Sequence, residues 1–205
     1  MKFLIFVAVF LFSVNSFSQK ETQEIIDAHH IKSIQINTDE VFLVRIISVK
    51  SSKIRIKTYS EGEYFRQIVL ESSINGDELL IDTNYPKQLA GGYDKLSAHK
   101  VFSLEVHLEI PEGLEINIRS NIASLEAKGE FKSVNADLKQ GYCKLTEFSG
   151  AATINTYSGN ILIETTSGLI DASSRNGEVE TPDFMPGRNP LRLTSIDGDI
   201  KVRKN

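Results

Sequence analysis

Hydrophobic and polar positions alternate along much of this 205-residue chain, and in its second half glycines punctuate the alternation at a fixed interval. Gly141, Gly150, Gly159, Gly168 and Gly177 recur every nine residues. Two positions after each comes a residue suited to a core (Cys143, Ala152, Ile161, Ile170, Val179), and two further on come Leu145, Ile154, Ile163, Ala172 and Thr181. Period-two alternation closed by a turn dipeptide such as Ser158-Gly159 or Asn176-Gly177 predicts a short strand ending in a bend.

Residues two units apart match best in size, so the expected fold is all-β. It is a β-helix (β-solenoid) with coils of about 18 residues, in which Ile161 stacks on Val179 and Ile154 on Ala172. A β-meander is the structural rival. The N-terminal half is also strand-like, with longer and less regular strands. Ile54 and Ile56 alternate with Lys53, Arg55 and Lys57, and Val106, Leu108 and Ile110 with Glu105, His107 and Glu109. Residues 41–47 are almost continuously apolar, which predicts a strand covered on both sides. Asn75-Gly76-Asp77 predicts a hairpin turn.

Two stretches break the alternation. Residues 86–100 contain Gly91, Gly92, Tyr93 and Asp94 and read either as a surface excursion with no partner or as a binding loop. Residues 182–190 carry three prolines, which excludes a central strand, and read as an insertion within a coil. There Phe184 and Met185 either seal the end of the stack or, with Arg188, meet a partner. Gly198 restores the pattern 21 residues after Gly177, and Lys201, Arg203 and Lys204 are expected to guard the last edge by charge.

The start of the chain reads as an export signal: Lys2, an apolar run over residues 3–14, then small residues up to Ser18. The domain plan is therefore a signal peptide (1–18), a polar lead-in (19–30) and one β-helical domain (31–205), with wider strands over 31–113 and the regular solenoid over 114–205. The run is too short for a spanning helix, so the expected destination is the periplasm, cell surface or extracellular space. The chain has 23 basic and 27 acidic residues and a net charge of −4, moving to −5 without Lys2, which argues against nucleic-acid binding.

Candidate chemistry is sparse. Cys143, the single cysteine, has no partner for an internal disulfide and reads as a small core residue. Asp27, His29 and His30 read as a solvated strand entrance, because adjacent strand residues face opposite ways. No metal or cofactor is expected, since neither paired-glycine calcium repeats nor zinc spacing occurs. An enzyme reading would rest on Glu164 and Glu180, outward residues expected to lie diagonally on neighbouring strands like the carboxylates of an inverting glycosidase.

Leu108-Glu109-Ile110-Pro111, Thr156-Tyr157-Ser158-Gly159-Asn160-Ile161 and Ser195-Ile196-Asp197-Gly198-Asp199-Ile200-Lys201-Val202 carry a family resemblance. Over roughly residues 30–203 the chain resembles secreted bacterial adhesins of the auto-transporter adhesin head-like (GIN-type) class and their uncharacterised relatives. The resemblance implies a β-helical fold, a cell-envelope setting and adhesion, with no catalytic residues to carry over; the regular outward columns of Thr, Ser, Asn and charged residues are expected to offer hydrogen bonds to a surface glycan or envelope protein. Self-association by end-to-end stacking, similar to that of bactofilins, is the further alternative.

Overall fold

The computed structural model describes residues 19–39, 41–62, 69–84 and 102–205, and among them there are fifteen strands and no helix. The strands are β1 (Gln19–Asp27), β2 (Ser33–Thr38), β3 (Leu43–Val49), β4 (Lys53–Gly62), β5 (Val69–Asn75), β6 (Glu78–Asn84), β7 (Phe102–Pro111) and β8 (Glu115–Ser120). They continue with β9 (Ser124–Gln140), β10 (Cys143–Ser158), β11 (Ile161–Thr165), β12 (Leu169–Ser174), β13 (Val179–Glu180), β14 (Pro190–Ser195) and β15 (Ile200–Lys204). All belong to one mixed sheet.

The pairings fall into two rows. Row one runs β1-β4-β7-β3-β9-β10-β11-β15-β13, and row two runs β5-β6-β2-β8-β9-β10-β14-β12. Strands β9 and β10 serve both, because each bends midway. Gly129 at φ +109° bends β9, while Glu147 at +46° and Gly150 at +139° bend β10. The first halves of these strands pair at Cys143–Leu125 and the second halves at Ala152–Val134, each 18 residues apart in sequence.

Because most pairs are parallel and in register, like residues form columns. Ile34, Ile116, Val134, Ala152 and Leu191 line one, and Val44, Leu125, Cys143, Ile161 and Ile200 another. All are fully or almost fully buried and belong to a single core cluster. Each aliphatic side chain so buried contributes roughly 1.5–3 kcal/mol, which explains the strict alternation. Antiparallel pairing is confined to β1–β4, β4–β7 and β5–β6, the last closed at Gly76 (φ +65°) as its turn signal predicts.

The order of strands departs from the order in sequence at two places. The pair β14–β15 lies between β10–β11 and β12–β13, so Ile161 and Val179 both flank Ile200. Likewise Leu193 separates Ile154 from Ala172. The expected stacking of Ile161 on Val179 and of Ile154 on Ala172 is thus incorrect. Ile161 is fully buried, but Val179 is 43% exposed. Near the other end, β2–β3 lies between β6–β7 and β8–β9 in the same manner.

Smaller expectations are refined. β15 is paired on both sides at Ile200 and Lys201, so Lys201 does not guard an edge, whereas Arg203 and Lys204 run past β13 and pair with β11 alone. Within the polar lead-in, residues 19–27 form β1, paired along its length with β4. In residues 41–47, Val41, Val44 and Ile46 are buried while Phe42 and Ile47 are exposed, so one face is covered and not two.

Candidate functional site

With inward positions committed to the core, chemistry is left to the two outward faces. On row two the register aligns Asp82, Asn37, Arg119, Asp137, Asn155 and Thr194 across successive strands. Adjacent strands lie about 4.8 Å apart, so short amides reach their neighbours directly. Asn37 Nδ2 donates to Asp82 Oδ1 (3.1 Å), Asn155 Nδ2 to Asp137 Oδ1 (2.8 Å) and, one column over, Asn135 Nδ2 to Asn117 Oδ1 (2.9 Å). The result is a polar surface whose side chains hold one another in place.

Row one presents charge instead. Lys57, His107, Arg45, Glu126 and Lys144 stand side by side on β4, β7, β3, β9 and β10. Arg45 Nε donates to Glu126 Oε2 (2.9 Å) while the Tyr142 hydroxyl donates to Glu126 Oε1 (2.6 Å), so both carboxylate oxygens are engaged. Those bonds, the tyrosine's first, hold the Glu126 carboxyl below its usual range, and the Tyr142 phenol is pushed up to about 12. His107 donates from Nε2 to Glu105 (3.0 Å) and its ring lies 4.8 Å from that of Tyr59. Small clefts of about 120 and 160 Å³ flank Arg45.

The residues singled out in the sequence are dispersed. Gly91, Gly92, Tyr93 and Asp94 lie outside the described residues. Phe184 is 76% exposed, Met185 is half-buried against the core and Arg188 is exposed. The segment holding them carries the chain from outer β13 back to the inner position of β14, beside an open cleft of about 540 Å³.

Glu164 and Glu180 do not converge. Strand β15 stands between them, Glu164 opposite Arg203 and Glu180 opposite Lys201, which donates to it. Two strand spacings and two residues along the strand separate their backbones by about 12 Å. The diagonal carboxylate pair of the enzyme reading is absent.

Cys143 is fully buried, and desolvation pushes its thiol up to about 12. His29 bonds Asp27 on the surface, which holds that carboxyl low. No group of three or more His, Cys, Asp or Glu among the described residues is arranged to hold a metal ion. No helix among them is long and apolar enough to cross a membrane.

The six repeat glycines sit at the corners between rows, and half of them do so without the left-handed backbone that favours glycine. Gly168, Gly177 and Gly198 have no positive φ. What demands glycine is proximity: at Gly177 a Cβ would lie 2.9 Å from Asp199 N and closer still to the Gly198 carbonyl. Gly141, Gly159, Gly198 and Gly177 stack in that order. The alternation of buried and exposed residues revealed these corners; the bonded outward ladders were missed, since they depend on which strands adjoin.

No protein-family model and no curated protein matches this sequence. Among solved structures, the chain is similar to a "putative cell adhesion protein" from Clostridium sporogenes, with 14% identity and a TM-score of 0.67, covering 91% of this chain and 100% of that one. That likeness shows a shared fold. A "putative adhesin" from Bacteroides fragilis matches at 10% identity over 90% of this chain and 97% of its own, with a TM-score of 0.41. Another from Parabacteroides distasonis matches at 10% identity over 89% and 97%, with a TM-score of 0.34.

Proposed function

We propose that this protein is an exported, non-enzymatic adhesin-like module, built as a β-solenoid, that binds glycan or envelope protein through its outward faces. The observation that carries the reading is the bonded polar ladder of row two. Its Asn and Asp side chains are oriented before any partner arrives, which lowers the ordering cost of binding. In-register parallel pairs 18 residues apart support the solenoid, and the fold shared with the Clostridium sporogenes protein supports the adhesin reading. Export rests on the character of residues 1–18.

Binding of the full chain to surfaces coated with glycans and with envelope proteins tests this, alongside an Asn135→Lys, Asn155→Lys double variant. The variant should lose binding while keeping its urea midpoint. Equal binding by both proteins would remove the face from the reading.

A second reading is self-association at the β12–β13 end. Leu169 (66% exposed), Val179 and Phe184 sit beside two strand edges with no neighbour among the described residues. Light scattering should show oligomers that Leu169→Lys disperses; a monomer at all concentrations sinks this reading.

A further inference from the structure

At the corner where row two ends, β2, β6, β8 and β9 border an open cleft of about 480 Å³, a volume within the range of small-molecule sites. Thr38, Asp39, Asp82, Arg119, Asn121 and Lys139 line it. We propose that this cleft binds a neutral saccharide, recognised by Thr38, Asp39, Asp82 and Arg119. The proposal rests on the adhesin reading and assigns it a ligand class and a site.

Thr38 supplies the first observation. Its column continues through Ser120, Leu138, Thr156, Ser195 and Ser174, and each of the four other hydroxyls in it makes a bond at its own corner. Ser120 Oγ accepts from Ala123 N (3.0 Å), Thr156 Oγ1 donates to Gly159 O (2.9 Å), and Ser174 Oγ donates to Gly198 O (2.7 Å). Thr38 is only 3% exposed, yet its Oγ1 has no hydrogen-bond partner among the described residues. A buried hydroxyl left unbonded is costly, and because Thr38 lines the cleft, a turn of its side chain about χ1 would bring that shielded hydroxyl to a ligand hydroxyl.

The charges supply the second. Asp39 and Asp82 are balanced by Arg119 and Lys139, so the cleft favours neither an anion nor a cation. Asp82 accepts from Asn37, and Asp39 Oδ1 accepts from Asn121 N (3.2 Å), which orients both carboxylates and leaves each a second oxygen without a hydrogen bond among the described residues. Arg119 is 75% exposed and touches Asp137 only at 3.9 Å, leaving its guanidinium available. Acceptors and donors set close together match vicinal diols, in which every hydroxyl both donates and accepts.

The test screens the full chain against an array of neutral and acidic oligosaccharides. Titration of neutral gluco-, galacto-, manno- and N-acetylglucosamine oligomers follows, monitored by NMR. A neutral oligomer should bind, and Thr38→Val and Arg119→Ala should each weaken it about tenfold or more. Thr38→Val should at the same time keep or raise the urea midpoint, since it removes an unbonded buried polar atom. Absence of neutral binding at about 10 mM, a level that detects the weakest saccharide sites, overturns the proposal, as does binding of acidic saccharides alone. Binding that both variants retain also overturns it. In these cases, surface binding that the Asn135→Lys, Asn155→Lys variant abolishes would show that the adhesin reading survives and only the cleft assignment fails.

Discussion

The carbonyl oxygen of Gly159 occupies the space that a Cβ on Gly198 would need, although the two residues are 39 positions apart in sequence. Neither backbone can retreat without parting β11 from β15. Gly198→Ala should therefore cost about 1–3 kcal/mol, as overpacking does, and lower the urea midpoint accordingly. Gly76→Asn should change stability by less than about 0.5 kcal/mol, because Asn tolerates φ +65° and the space there is open. An unchanged midpoint for Gly198→Ala would show that the corners are looser than this stacking requires.

The inner position of β15 sets an order of protection. Its amides should exchange at rates close to those of global unfolding, while β12 and β13, with one neighbour each and half-exposed side chains, should exchange by local opening. Hydrogen exchange read by mass spectrometry on peptides covering residues 169–180 and 190–204 distinguishes them. Faster exchange in the later peptide would contradict the inserted order.

Tyr142 and Glu126 should titrate as partners. In the folded protein the Tyr142 phenol is raised from 10.0 to about 12, chiefly by its bond to Glu126, so the stabilisation it lends is present below pH 10 and fades as pH rises towards 12. The Glu126 carboxyl is lowered, so its contribution is present above the unfolded value near 4.5 and is lost as pH falls through its folded value. Tyrosine-selective NMR should place Tyr142 ionisation well above 10, and Glu126→Gln should bring it back towards 10. No change in that variant would break the assignment.

Cys143 should be inert while the protein is folded. Its burial and raised thiol leave almost no thiolate near neutral pH. A maleimide should label it only at the rate of unfolding, and urea should accelerate labelling to that of a free thiol. Prompt labelling without denaturant would contradict the packing of its column.

Met185 and Phe184 differ in what surrounds them. Met185 packs against the core, so Met185→Ala should cost about 2–5 kcal/mol at most, reduced by its partial exposure. Phe184→Ser should stay within about 0.5 kcal/mol, because the ring is largely in solvent. Equal losses in urea unfolding would show that both residues seal the end.

Alternation and the regular glycines were enough to establish the all-β class, the corners, and the core residues from Cys143 to Ile163, because burial in a strand depends on a local period of two. They also made the hairpin at Gly76 legible, since a two-strand turn is a local event. Strand order was another matter. Glycine spacing predicts that β11 adjoins β13, yet β15 takes that place and β14 the corresponding one in row two.

The physical reason lies in how much each pair has to bury. Strands β14 and β15 turn Leu191, Leu193, Ile200 and Val202 inward, whereas the matching positions of β12 and β13 hold Ile170, Ala172, Val179 and Thr181. At about 0.8 kcal/mol per buried methylene, the more apolar pair belongs where neighbours cover it on both sides. Sequence alone thus determined which residues face inward and where the chain turns. Tertiary structure decided which strands touch, and with them the bonded outward ladders, the separation of Glu164 from Glu180 and the corner cleft at Thr38, because adjacency is settled by the whole stack competing for buried area.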